Sequence, residues 1–222
     1  TDHIRIQTIR PGMDLSAALK DADQIDDYVD ERFSYAFDEK YGYLTSYPTN
    51  VGTGMRASVL IHLPSLSLGK KFQAMLGDMG RFGVSVRGVY GEGRENYGSI
   101  YEVSNVKTLG QTERELAELV CKVALQLNDQ ENQVRQMTLE NHRLEREDEV
   151  YKSYGVLKYA RKLSMKEAMT YLSHLRAGIC DGVIALDGAC PVYGLILGIQ
   201  NANLMKIADH PLDKDELDGV RA

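Results

Sequence analysis

The periodicity of apolar residues changes once along the chain, at Gln111, and that change limits the fold most. Upstream, short alternating segments are interleaved with helical spacing. His3 to Thr8 sets Ile4, Ile6 and Thr8 against His3, Arg5 and Gln7, the period of a half-buried strand. Ala57–His62, Val84–Val89 and Ser99–Val103 read the same way, and Tyr41–Ser46 reads as extended. Between them, Asp14 is placed to cap a helix carrying Leu15, Ala18, Leu19, Ala22, Ile25, Val29, Phe33 and Ala36. Pro64 suits the first turn of another, running to about Gly80. Downstream of Gln111 the spacing is helical. Thr112 with Glu115 and Ser164 with Glu167 have the form of capping boxes. A charged tract from Leu127 to Glu149 reads as a long exposed helix that could bridge domains. Strands without a regular βαβ repeat, then helices alone, predict an α+β fold with an all-helical unit starting near Val150.

Composition narrows the function classes. With 43% hydrophobic residues in 222, the chain can bury a substantial core, and its formal charge of −6 argues against direct nucleic-acid binding or an anionic membrane as its main partner. No apolar run approaches the ~20 residues that cross a bilayer. Cys121, Cys180 and Cys190 are widely spaced and odd in number. They form neither a disulfide framework nor a zinc motif, and they fit a reducing cytoplasm. Thr1 immediately precedes a segment that reads as a strand already under way, so a preceding segment is expected.

The stretch from Leu44 to Ser58, LTSYPTNVGTGMRAS, is a glycine loop that lets backbone approach an anion, followed directly by Arg56. It is no Walker A loop, because Gly-Lys-Ser/Thr is absent. Gly91-x-Gly93 likewise fails as a dinucleotide fingerprint, since position 96 is asparagine. Arg5 projects from the first strand pattern on the face opposite Ile4 and Ile6, and Arg87 closes a strand pattern before Gly88. Guanidinium groups pair bidentately with phosphate and keep their charge, so Arg5, Arg56 and Arg87 could clamp a triphosphate. Spacing alone favours the plainer reading, three solvated arginines among 26 basic residues.

The ordered set DHIRI at Asp2–Ile6, the Leu44–Ser58 loop, Arg87-Gly88 with Gly91-Glu92-Gly93, Val103-Ser104-Asn105 and Leu109-Gly110 resembles the phosphagen (ATP:guanidino) kinases. It is most similar to their bacterial relatives that phosphorylate arginine in proteins. Tyr151–Leu157 and Leu172–Gly178 resemble those relatives' extra helical domain. The resemblance implies an antiparallel sheet flanked by helices, a partial catalytic domain over 1–148, and a helical domain over 149–222. It implies ATP with Mg2+, held by Arg5, Arg56, Arg87, Gly88 and Asn105 with no metal ligand from protein side chains. Glu92 matches a position of substrate closure. In-line transfer of the γ-phosphoryl to a guanidinium nitrogen needs a carboxylate to orient that nitrogen and take its proton. Implied partners are arginine-bearing proteins, a second copy of the chain and a zinc-binding activator protein; the implied setting is a cytoplasmic stress response.

Three departures qualify that expectation. The family's Asn-Glu-Glu-Asp-His run is represented only by Thr1-Asp2-His3. Tyr47 stands where the family has cysteine, and a phenol of pKa near ~10 is neutral at pH 7 where a thiolate would be charged. Leu217 replaces the first arginine of the phosphoarginine-binding motif, leaving Asp218 and Arg221 as its remaining members. The alternative to a protein-arginine kinase is an inactive relative serving as a regulatory or oligomerisation module. A coiled-coil scaffold fits less well, because Val134, Met137 and Leu144 are too sparse for sustained heptads.

Overall fold

The computed structural model describes residues 3–91, 96–186, 191–208 and 210–222. The chain divides into two units. The first comprises Thr1–Ile61, Lys70–Arg87 and Tyr101–Asp129; the second comprises His62–Gly69, Gly88–Ile100 and Gln130–Ala222.

In the first unit, α1 (Leu15–Asp30) begins where Asp14 Oδ1 accepts from Ala17 N at 3.0 Å. A two-stranded ribbon follows, β1 (Phe37–Asp38) with β2 (Gly42–Tyr43). A three-stranded sheet has the order β3 (Ser58–His62), β5 (Ile100–Asn105), β4 (Val84–Gly88). Asn105 N bonds Ala57 O while Leu63 N bonds Ser99 O, so β3 and β5 run antiparallel. Val106 N to Gly83 O and Val89 N to Ile100 O give β4 and β5 the same relation. Alternation sorts their side chains. Val84, Val86, Tyr101 and Val103 are buried, with Tyr101 edge-on to Phe72 of α2 (Lys70–Asp78) at 5.1 Å, whereas Arg87 and Glu102 take the other face. From α3 (Glu113–Asn141), Leu116, Val120, Ala124 and Leu127 add a buried stripe. The α+β expectation holds, and so does the antiparallel pairing.

The second unit is mostly helical: α4 (Arg143–Tyr159), α5 (Met165–Cys180), α6 (Val192–Gly198), α7 (Asn201–Ile207) and α8 (Lys214–Arg221). The Ser164–Glu167 capping box forms as expected. Met169, Leu172, Val192, Ile196 and Ile100 make one apolar cluster, and Val150, Leu175 and Ile184 another. Each fully buried side chain of this size contributes about 1.5–3 kcal/mol. Helices α4 and α5 approach so closely at Gly178 that a Cβ there would stand 2.3 Å from Val150 Cγ1.

Several elements differ from the sequence reading. His3–Thr8 is not a strand: no neighbouring strand pairs with it among the described residues, and Ile4 is exposed. The helix expected from Pro64 to Gly80 is a 3₁₀ turn (Leu66–Leu68), then α2, then a second 3₁₀ turn (Met79–Phe82), because Gly69 turns extended between the first two. The charged tract is two helices. His142 leaves helical geometry (φ −137°, ψ 38°) and separates α3 from α4. The tract is not uniformly exposed either, since Glu131 and Arg146 are buried.

Candidate phosphate-binding site

The sheet's polar face brings two of the three singled-out arginines together. Arg87 leaves β4 with its Nε donating to Glu102 Oε2 at 2.7 Å. Arg56, just before β3, donates from Nη2 to the same oxygen at 3.2 Å and to Ser104 Oγ at 3.0 Å. Glu102 and Ser104 sit two apart on β5, so both face this side. Each guanidinium has five N–H donors. Arg56 therefore keeps three uncommitted and Arg87 four among the described residues, and both side chains are more than half exposed.

Asn105 fixes where Arg56 stands. Its Oδ1 accepts from Ala57 N at 2.8 Å, and its Nδ2 donates to Met55 O at 3.1 Å and Lys107 O at 2.9 Å. The amide thus grips the backbone on both sides of Arg56. Gly88 is crowded: a Cβ would lie 2.7 Å from Asn96 Cβ. Arg5 is exposed, in the segment tied to α1 by Thr8 Oγ1 donating to Ala18 O at 2.8 Å, and no hydrogen bond or ion pair links it to Glu102 among the described residues. Glu92 lies outside the described residues.

The glycine loop is built against the segment after β5. Thr108 Oγ1 donates to Thr49 O and Val51 O (2.9 and 2.8 Å), and Thr53 N to Thr108 O at 2.9 Å. Gly52 has φ +111°, and a Cβ there would be 2.2 Å from Thr108 O, so both backbone angle and space require glycine. Tyr47 precedes a 3₁₀ turn (Pro48–Asn50); its carbonyl accepts from Thr45 Oγ1 and Asn50 N, and its ring is half exposed. A cavity of about 370 Å3 lies beside the loop, lined by Tyr41, Tyr43, Gly52, Thr108 and Glu113 among others, but by none of the three arginines.

Arg221 has a different environment. Its side chain is 2% exposed, and it donates to Ile199 O, Leu163 O, Asp218 Oδ1 and Asn201 Oδ1, leaving one of five donors uncommitted among the described residues. Asp218 is committed to that same cluster.

Sequence reasoning missed Glu102. The available signal was a carboxylate on the polar register of a strand whose other register, Tyr101 and Val103, is apolar.

Two exposed guanidiniums thus share one carboxylate, with an asparagine gripping the backbone on either side of Arg56. Residues 1–134 match the family described as ATP:guanido phosphotransferase, C-terminal catalytic domain, and residues 143–222 match the protein-arginine kinase McsB C-terminal domain. The chain belongs to the ATP:guanido phosphotransferase family. Proteins named protein-arginine kinase from Caldanaerobacter subterraneus subsp. tengcongensis and Bacillus licheniformis are 44% and 48% identical over all of this chain, which covers 65% and 61% of their lengths. One from Halothermothrix orenii is 40% identical, with 63% of its length covered. The chain thus spans somewhat less than two thirds of these curated relatives. Among solved structures, the duplicated taurocyamine kinase from Schistosoma mansoni with bound transition state analog components is 28% identical, with a TM-score of 0.48, over 56% of this chain and 17% of that one.

Proposed function

We propose that this chain is the phosphate-holding part of an ATP-dependent protein-arginine kinase, which transfers the γ-phosphoryl group of ATP to guanidinium groups of protein arginines. The observation that carries this reading is the Arg56–Arg87 pair, ordered on Glu102 with donors to spare. Such donors spread the charge that develops on the transferring phosphoryl group without reorganising during the reaction. Mg2+ would be held by the phosphates of ATP and would neutralise part of their charge. We assign Arg56 and Arg87 to direct phosphate contact, and Asn105 and Gly88 to shaping the seat. Arg5 joins that seat, Glu92 the closure over substrate, and Tyr47 the guanidinium pocket, on the strength of the family resemblance. The family matches at 1–134 and 143–222 support a partial catalytic domain over 1–148 and a helical domain over 149–222. Phosphoarginine binding at Asp218 and Arg221 belongs to the same reading, and it requires the Arg221 cluster to open. A homodimer and a zinc-binding activator protein complete the proposal.

The test uses labelled ATP and an arginine-rich protein substrate, with acid-labile phosphoarginine as the readout. The chain is assayed alone and with the residues of the Bacillus licheniformis relative that it does not cover. Phosphoarginine should form in the combined reaction, and Arg87→Ala should reduce it by about 10²-fold or more. A folded Arg87→Ala variant with undiminished transfer would remove the clamp from the mechanism.

A further inference from the structure

Glu102 places a negative charge where the proposed function needs an anion to arrive. One oxygen, Oε2, accepts from both Arg56 Nη2 and Arg87 Nε, and the Glu102 side chain is 17% exposed against 51% and 61% for the two arginines. The carboxylate lies beneath and the cations lie above it, open to solvent. Two guanidiniums side by side repel each other, and one carboxylate neutralises one of the two charges while fixing both in register. An incoming phosphate therefore meets donors already aligned, but a local charge of one rather than two.

We propose that Glu102 is the resident counter-anion of the phosphate seat, a positioning residue that holds Arg56 and Arg87 in place and competes with an incoming anion for their donors. This rests on the reading of Arg56 and Arg87 as phosphate-contacting residues. Binding is then a competition between one built-in carboxylate and the ligand's oxygens for shared donors. A polyphosphate carrying three or four charges wins that competition. The carboxylate's repulsion acts on every anion in proportion to that anion's charge, so Glu102 lowers the affinity of the seat for anions in general. Ser104 Oγ, 3.0 Å from Arg56 Nη2, keeps that arginine anchored if Glu102 lets go.

The experiment titrates inorganic tripolyphosphate and inorganic phosphate, separately, into the full chain by calorimetry, comparing wild type with Glu102→Gln and Glu102→Asp, with thermal melting as the check on folding. Removing a like charge a few ångströms from a bound anion should tighten tripolyphosphate binding by about three- to tenfold in Glu102→Gln, and inorganic phosphate by a smaller factor, because repulsion scales with the ligand's charge. Glu102→Asp, which keeps the charge, should stay within about twofold of wild type. If Glu102→Gln does not fold, Glu102→Ala carries the same expectation. Weaker or unchanged tripolyphosphate binding in a folded neutral variant overturns the proposal and leaves the phosphate seat standing. Absence of binding to wild type and variants alike instead overturns the phosphate seat, and the role of Glu102 with it.

Discussion

Glu102 in the first unit and Asp181 in the second each hold two arginines, with opposite consequences. Arg56 and Arg87 reach Glu102 from an exposed strand face, while Arg135 and Arg146 reach Asp181, whose side chain is 0% exposed and whose partner Arg146 is 6% exposed. Arg146 Nε donates to Asp181 Oδ2 at 3.0 Å, and its Nη1 donates to Glu149 Oε2 at 2.6 Å. Arg135 Nε stands 3.0 Å from Asp181 Oδ1, an ion pair without hydrogen-bond alignment. The exposed pair keeps most of its donors uncommitted. Buried Arg146 and partly exposed Arg135 use their charges on Asp181 to hold α3, α4 and the end of α5 together. Two arginines sharing a carboxylate thus keep donors to spare in one place and form a structural rivet in the other, and solvent access makes the difference.

The contrast breaks most visibly at Asp181. Asp181→Ala leaves the Arg146 guanidinium buried with Glu149 as its remaining acid, and should cost about 3–5 kcal/mol in urea unfolding. A loss below about 1 kcal/mol would mean that water reaches the pair, and the distinction from Glu102 would vanish.

His62 sharpens the same contrast through pH. Its Nδ1 accepts from Arg176 Nη1, which puts the ring proton on Nε2, where it faces Ser173 Oγ at 2.7 Å. Burial first, then the charges of Arg176 and Arg146 and the neighbouring His174, push its pKa from 6.5 down to about 3. The unfolded chain takes up this proton near pH 6.5 and the folded chain does not. The resulting stability is complete above pH 6.5 and is lost progressively as pH falls toward 3. By pH 5 the loss should be about 2 kcal/mol relative to pH 7, read from thermal melts in matched buffers. His62→Gln should flatten that part of the profile. An unchanged slope would place the acid sensitivity elsewhere.

The smallest effect on stability is expected at the exposed pair. Arg56→Ala and Arg87→Ala should each shift unfolding by no more than about 0.5 kcal/mol, because partly solvated ion pairs contribute little. A loss of several kcal/mol would make the exposed pair structural as well and dissolve the comparison.

Local signals were readable wherever the physics is local. The Asp14 cap and the boxes at Thr112–Glu115 and Ser164–Glu167 need only residues three apart, and all formed. The charged tract misled because average polarity hides individual positions. Glu131 falls four residues after Leu127 on the buried stripe of α3, where its carboxylate accepts from Ser65 N and Leu66 N at the start of a 3₁₀ turn. Arg146, four residues before Val150, is the corresponding case on α4. The break at His142 carries no proline or glycine that would announce it. Arg5 was read onto a strand because alternation is necessary for a half-buried strand but not sufficient, and pairing needs a partner that spacing cannot supply.

The amino-acid order by itself determined the capped helix starts at Asp14, Thr112 and Ser164, the division into a strand-bearing region and a helical one, and the family to which the chain belongs. Tertiary structure alone decided which of 26 basic residues sit exposed in a pair on Glu102, which reach the buried Asp181 and which is enclosed in the Arg221 cluster. A residue's charge is written in its identity. Its desolvation and its partners depend on segments tens of residues away, such as position 56 meeting position 102.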